Sequence, residues 1–299
     1  MILDGVLIED SFAEAFPMVA TRLLITAASE AWAMTAAVAM TGFATSVIAC
    51  GCEAGIERRL QPEETPDGRP GVAVLLFAMA KEPLVAQLRN RVGQCVLTCT
   101  TTACYSGIDE GTRLPLGKAL RFFGDGFQIA KKLGPTRYWR VPVMDGEFIV
   151  EDTAGMTEGI GGGNFLVLAT SSAAALRATE AAVTAMRRVP GIILPFPGGI
   201  VRSGSKIGSR YKGLIASTND AYCPTLKGQS PATSLPAEVE AVLEVVIDGL
   251  DHEAIETAMR AGIQAACAGG RTTGVVAIAA GNYGGKLGPH HFHLRKILA

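Results

Sequence analysis

One acidic residue in an otherwise oily run is the first candidate for chemistry. In Val242-Leu243-Glu244-Val245-Val246-Ile247 the β-branched residues favour a strand, and Asp248-Gly249 supplies a turn after it. Alternation puts Leu243, Val245 and Ile247 on one face and Val242, Glu244 and Val246 on the other. A carboxylate between valines is costly to bury unless it is paired or stays protonated. Kept neutral, a carboxylic acid can donate a hydrogen bond to negative charge developing on a carbonyl oxygen. The plainer alternative places Glu244 on the wet face of a half-buried sheet.

A second concentration of polar groups precedes that strand. Pro195-Phe196-Pro197-Gly198-Gly199, Arg202-Ser203-Gly204-Ser205-Lys206 and Ser217-Thr218-Asn219-Asp220-Ala221-Tyr222-Cys223-Pro224 form a long Gly-, Ser- and Asn-rich stretch with two cations. Such a stretch is either functional or a solvated surface loop. Ordered, it offers backbone N–H groups and cations to an anionic or amide-rich ligand. It carries no Walker-A pattern, and its glycines do not match a dinucleotide fingerprint. Cys223 has no neighbouring His to activate it, and His290, His291 and His293 have no flanking acidic or Cys ligands, so no metal site is expected.

These groups need a scaffold, and the chain reads as one unit used repeatedly. Residues 1–20 open with a hairpin around Asp4-Gly5 and a short acidic helix holding Phe12 and Phe16. Arg22-Leu23-Leu24-Ile25-Thr26 is a strand, a helix capped by Ser29 runs to Gly42, and Thr45–Cys50 reads as the return strand. After a Pro-rich loop at 57–71 the pattern repeats: a strand at 72–76, a helix from Lys81 through Leu84 and Leu88, and a strand at 95–98. Turns and strand-like runs fill 105–158. The second half replays the motif, with strands at 164–168, 191–194, 243–247 and 275–278 and with helices capped by Ser171 or Ser172 and by Asp251. Gly198-Gly199 with Lys206-Ile207-Gly208 echoes Gly284-Gly285-Lys286-Leu287-Gly288, which supports a duplication. The expected fold is α+β: two ferredoxin-like (split βαβ) domains, 1–150 with a β-rich insertion and 151–299.

Composition narrows the function classes. Lys plus Arg (27) nearly cancel Asp plus Glu (28), so neither nucleic acid nor an anionic membrane surface is indicated as a partner. Only 18% of residues are charged, which suggests an oligomer that hides apolar surface. The uncharged run at 31–52 is rich in Ala, Thr, Ser and Gly and broken at Thr41-Gly42, so it reads as helix and strand rather than as a membrane span. The first ten residues hold Asp4, Glu9 and Asp10 and no basic segment, so no signal peptide is expected. Seven cysteines without a Cys-x-x-Cys fit a reducing cytoplasm.

Several longer motifs are more specific. They are Phe12-Ala13-Glu14-Ala15-Phe16, Leu24-Ile25-Thr26-Ala27-Ala28-Ser29, Pro62-Glu63-Glu64-Thr65-Pro66-Asp67-Gly68-Arg69-Pro70-Gly71 and Phe122-Phe123-Gly124-Asp125-Gly126. Gly146-Glu147-Phe148-Ile149-Val150-Glu151-Asp152, Pro195-Phe196-Pro197-Gly198-Gly199-Ile200-Val201, Ser217 to Pro224 and Gly281-Asn282-Tyr283-Gly284-Gly285-Lys286-Leu287-Gly288 continue the set. With these motifs the chain resembles formylmethanofuran–tetrahydromethanopterin formyltransferases over nearly its whole length. The near-neutral, alanine-rich composition is similar to bacterial members that belong to a formyltransferase/hydrolase complex.

The resemblance implies a homotetramer and transfer of a formyl group between the amine of methanofuran and N5 of tetrahydromethanopterin. Both carriers are co-substrates; no metal or permanently bound cofactor is implied. It implies Glu244 as the catalytic carboxyl. Arg202, Lys206 and Lys286 are candidates for anionic carrier tails, and Asn219, Asp220 and Tyr222 for the pterin or the amide. Ser205 and Asn282 complete the substrate-binding candidates, and Arg69 is expected to reach a neighbouring subunit. Two other readings stay open: a catalytically idle, carrier-binding scaffold subunit, and a formyltransferase using a folate-like carrier.

Overall fold

Hydrophobic alternation, the turns and the helix caps build two compact units in this computed structural model, which describes residues 1–233, 235–281 and 286–299. One unit is Met18–Gly159; the other combines Met1–Pro17 with Ile160–Ala299.

In the 18–159 unit the strand Phe12–Thr26, past Pro17, pairs antiparallel with Gly71–Ala78 and Ala103–Ser106, and Gly71–Ala78 pairs with Glu53–Leu60. The spatial order is therefore 53–60, 71–78, 18–26, 103–106. Gly146–Glu151 then adds in parallel to 103–106, and Thr136–Val143 and Ile129–Leu133 extend the sheet as an antiparallel meander. Leu23, Ile25, Val72, Val74 and Leu76 pack with Ala33, Ala36, Ala37 and Met40 of the helix Glu30–Thr41 and with Leu84 and Leu88 of Lys81–Arg91. The Ser29 hydroxyl accepts from the Trp32 N–H, capping the first of these helices as its sequence predicts.

The other unit repeats the scheme. The later part of Thr153–Ala169 pairs antiparallel with Ala241–Gly249 and Val275–Ala279, and Ile192–Ile193 pairs with Gly249 and Asp248. Its order is 192–193, 241–249, 160–169, 275–279, with Val6–Ile8 added in parallel to 275–279 and Ile2–Leu3 antiparallel to Val6–Ile8. The helices Ser172–Met186 and His252–Cys267 cover one face, burying Phe165, Val167, Val245 and Ile247 against Val183, Met186, Ile255, Met259 and Ile263. They approach closely at Gly262, where a Cβ would meet the Met186 sulfur at 2.5 Å. The opposite face carries Asn164, Leu166, Leu168 and Glu244, and it is covered rather than wet: Tyr222, Leu235 and Val239 pack on Leu166, Leu168, Val276 and Val242.

Some local expectations fail for identifiable reasons. Phe12 to Phe16 is strand, not helix, because it finds a distant partner in His290–His293. Residues 45–50 look like a strand from their β-branched content, yet Val47–Cys50 is a helical turn capped by Ser46 and ended by left-handed Gly51, φ 76°. The true return strand is Glu53–Leu60, whose charges disguise it. Residues 95–98 continue the preceding helix as a π-helical turn at Val92–Val96. Asp248-Gly249 closes the Ala241–Gly249 strand instead of forming the turn. Among the described residues no helix is long and apolar enough to cross a membrane.

Candidate active site

The strand Ala241–Gly249 holds Glu244 in place by its backbone on both edges. On one side Glu244 is opposite Leu166; on the other its N–H donates to the Val201 carbonyl (3.0 Å) and its carbonyl accepts from the Val201 N–H (2.7 Å). Its side chain rises from the face opposite the helices, where the 197–240 segment excludes water and leaves the residue only 6% exposed. The alternative of a wet-face carboxylate is thereby excluded. Burial pushes the carboxyl above the usual carboxylate range, and the Asn164 amide N–H, which favours the charged form, opposes that rise.

Asn164 contacts the acid directly. Its Nδ2–H donates to Glu244 Oε1 at 2.7 Å, and its Oδ1 accepts from the Gly281 N–H at 3.1 Å. Among the described residues Glu244 Oε2 has no hydrogen-bond partner. Glu244 lines a small cavity of about 90 Å³ together with Leu166, Arg202, Thr218, Asn219, Tyr222 and Cys223. This volume takes a formyl-sized group, not a whole carrier. Thr218 also borders a larger cavity of about 690 Å³, lined by Lys206, Tyr211, Ser217, Asp220 and Ser230 among others.

The structure thus brings Glu244, Arg202, Asn219 and Tyr222 to one cavity. Lys206 and Asp220 line the adjoining one, where they pair with each other. That pairing and the Ser230 hydroxyl at 2.6 Å hold the Asp220 carboxyl down to about 2. Ser205 lies on the short Ser205–Ile207 strand opposite Thr218, and Lys286 is exposed. Asn282 falls outside the described residues. Arg69 belongs to the other unit, where its guanidinium is tied to Asp67 (2.8 Å), Thr26 Oγ1 (3.0 Å) and the Thr101 carbonyl (2.6 Å).

Two neighbours escaped the sequence reading. Asn164 carried the same signal as Glu244, a polar residue in the apolar run Asn164-Phe165-Leu166-Val167-Leu168. Glu9 had no such signal; it accepts a hydrogen bond from Tyr222, whose hydroxyl burial and this carboxylate push up to about 12. Cys223 lines the cavity with its sulfur 3.1 Å from Thr225 Oγ1, and no His is among the described residues that line it. Among the described residues no group of three or more His, Cys, Asp or Glu is placed to hold a metal ion. His291 instead packs on Phe12 at 4.8 Å between ring centroids.

A buried acid with one oxygen anchored, on a residue that lines a formyl-sized space, suits acyl transfer through an oxyanion. Comparisons with known proteins agree in kind. The family model described as formylmethanofuran-tetrahydromethanopterin formyltransferase matches residues 1–143, and its companion, the proximal lobe of the same family, matches 146–297. The chain is 64% identical to a formylmethanofuran–tetrahydromethanopterin formyltransferase of Methylococcus capsulatus, over all of both chains. It is 55% identical to one of the polypeptides of the formyltransferase/hydrolase complex of Methylorubrum extorquens, over 99% of this chain and 97% of that one. A crystal structure of that Methylorubrum complex with methylofuran superposes with a TM-score of 0.97 at 54% identity, covering 100% of this chain and 99% of the other. The formyltransferase of Methanosarcina barkeri superposes with a TM-score of 0.94 at 49% identity, covering 99% and 100%. The chain belongs to the formylmethanofuran–tetrahydromethanopterin formyltransferase family.

Proposed function

We propose that this protein moves a formyl group between methanofuran and N5 of tetrahydromethanopterin, with Glu244 as a protonated acid. The observation that carries the mechanism is the burial of Glu244 beside a cavity that admits the reacting group. The attacking nitrogen forms a bond to the formyl carbon, and the carbonyl π electrons move onto oxygen. Neutral Glu244 donates a hydrogen bond to that oxyanion. On collapse the bond to the leaving nitrogen breaks; this nitrogen takes the proton of Glu244, and the attacking nitrogen returns one. The net change is one proton exchanged between nitrogens, so the acid ends neutral.

The covering segment supplies the rest: it keeps solvent out, and Arg202, Asn219 and Tyr222 border the reacting centre. Both carriers act as co-substrates, and no permanent cofactor is invoked. The remaining binding candidates, Ser205, Lys206, Asp220 and Lys286, would engage the carrier bodies beyond the small cavity, Asn282 is kept as a substrate-binding candidate, and Arg69 would act toward a neighbouring subunit.

Each unit carries the strand order 2-3-1-4 of a split βαβ sheet, which supports two ferredoxin-like domains. The family models meet between residues 143 and 146, which supports a division near 150. Exposed Phe122, Phe123, Phe127 and Met144, of which Phe123 and Met144 line a cavity of about 690 Å³, support a homo-oligomer, a tetramer in the resemblance. Identity to a member of the Methylorubrum formyltransferase/hydrolase complex supports assembly with a hydrolase; a cytoplasmic location is proposed with it.

The test is direct. Purified protein is given formyl-methanofuran and tetrahydromethanopterin, and the absorbance of the formylated pterin is followed with tetrahydrofolate as control acceptor. Formylation of the methanopterin alone is expected. No transfer, or equal transfer to tetrahydrofolate, overturns the assignment.

A further inference from the structure

The contact between Glu244 and Asn164 decides more than the acid's location. A side-chain amide has one acceptor end and one donor end. Here the acceptor end is taken by a backbone group that cannot rotate: Asn164 Oδ1 receives the Gly281 N–H at 3.1 Å. The donor end must then face Glu244, and it does, at 2.7 Å from Oε1. An N–H donor is best met by the carbonyl oxygen of a neutral acid. Oε1 is therefore the carbonyl oxygen, and the acid's hydrogen sits on Oε2, the oxygen without a protein partner among the described residues.

We propose that Asn164, oriented by the Gly281 backbone, is a positioning residue that directs the O–H of Glu244 into the reaction cavity. This rests on the reading of Glu244 as the acid. Both members of the relay are buried, Asn164 at 3% exposure. The relay also depends on a glycine at 281, where a Cβ would come within 2.4 Å of Asn164 Nδ2, closer than non-bonded atoms approach. Any side chain there would turn the amide away from the carboxyl. Among the described residues, the ionisable groups lining the same cavity are Arg202 from the edge segment and Tyr222 and Cys223 from the covering segment; the paired strand contributes Leu166 to the lining, with Asn164 touching the acid beside it.

Without the relay the carboxyl keeps its hydrogen but can turn it to either side. Misplacement of a catalytic group by about an ångström costs on the order of a hundredfold in rate. The experiment measures kcat and KM for both carriers against pH in the full-length protein, for wild type, Asn164→Ala, Asn164→Asp, Gly281→Ala and Glu244→Ala, each checked for native mass and melting temperature. In Asn164→Ala, kcat is expected to fall roughly 10- to 100-fold with KM within about twofold. Its alkaline limb moves to higher pH, because a donor that favours the carboxylate is gone. Asn164→Asp donates only while protonated, so its activity recovers as pH falls.

Gly281→Ala leaves both polar side chains in place and is expected to reproduce the kcat loss, which keeps the test open if Asn164→Ala does not fold. A wild-type kcat and pH profile in folded Asn164→Ala or Gly281→Ala, with Glu244→Ala inactive, overturns the positioning role and leaves the acid standing. A raised KM at constant kcat likewise overturns it, because Asn164 would then bind substrate. Near-wild-type turnover in Glu244→Ala overturns the acid itself, and the relay with it.

Discussion

Replacing Glu244 by Ala and by Gln separates two things the acid is asked to do. The Ala variant removes the donor altogether. Losing one preorganised donor to an oxyanion costs about a hundred- to a thousandfold in kcat, or ~2.7–4 kcal/mol of barrier. The Gln variant keeps the geometry: its amide oxygen accepts from Asn164, as Oε1 does now, and its NH₂ faces the cavity. It stabilises the oxyanion but hands over no proton, so it retains more activity than Ala and less than wild type. Wild-type kcat falls as pH rises through the raised pKa of Glu244, and in the Gln variant this limb vanishes. Stability follows the same group. Its folded pKa lies above the unfolded value, so its contribution is whole below the unfolded pKa and is lost as pH rises through the folded one. Glu244→Gln should therefore be more stable than wild type at neutral pH, with an advantage that shrinks in acid. Stopped-flow formyl transfer and thermal melts from pH 4 to 9 read both effects. An Ala variant within about threefold of wild-type kcat, or a Gln variant less stable than wild type at pH 7, refutes the account of a buried neutral acid.

Arg202→Ala should raise KM for the more anionic carrier with little change in kcat, whereas Lys206→Ala should resemble Asp220→Ala, since those two charges already neutralise each other. Steady-state kinetics with each carrier varied in turn decides this. Asp220, with its pKa lowered to about 2, tethers the 205–233 segment above its unfolded value of 3.8 and loses that grip as pH falls toward 2; pepsin should cut this segment increasingly over that range, and no pH dependence would contradict it. In the other unit, Arg22 grips nearly buried Glu57 through two 2.6 Å hydrogen bonds, so Arg22→Ala should destabilise by roughly 3 kcal/mol in urea titration. Sedimentation should give an oligomeric mass, and substitution of Phe123 and Met144 by Ser should lower it.

Helix positions were largely legible because their signals are local. Ser29, Ser171 and Asp251 cap where their side chains predict, and the Asp4-Gly5 turn closes its hairpin. Strands failed where pairing is distant: nothing within 12–16 points to His290–His293. Glu53–Leu60 was hidden because Glu53, Glu57, Arg58 and Arg59 read as surface, although Glu53 and Glu57 are buried. The oddity of Glu244 was visible, but its burial was not. Covering that face is the work of Tyr222, Leu235 and Val239, residues of a stretch whose own sequence is glycine-rich and polar. The Asn164 contact depends on the register of two strands some 80 positions apart, which periodicity does not encode.

The unit that holds the acid is assembled from two stretches far apart in sequence, residues 1–17 and 160–299. Leu7 and Ile8 lie beside Ala277 and Ile278, and Phe12 to Ala15 beside His290–His293. The 18–159 unit has no such requirement, because its residues are contiguous. On the ribosome, then, residues 18–159 can fold while translation continues, whereas Val6–Ile8 and residues 12–15 must wait for their partners at 277–278 and 290–293 to emerge. A nascent chain stalled before those partners appear would carry one folded module and an acid whose own unit is still incomplete.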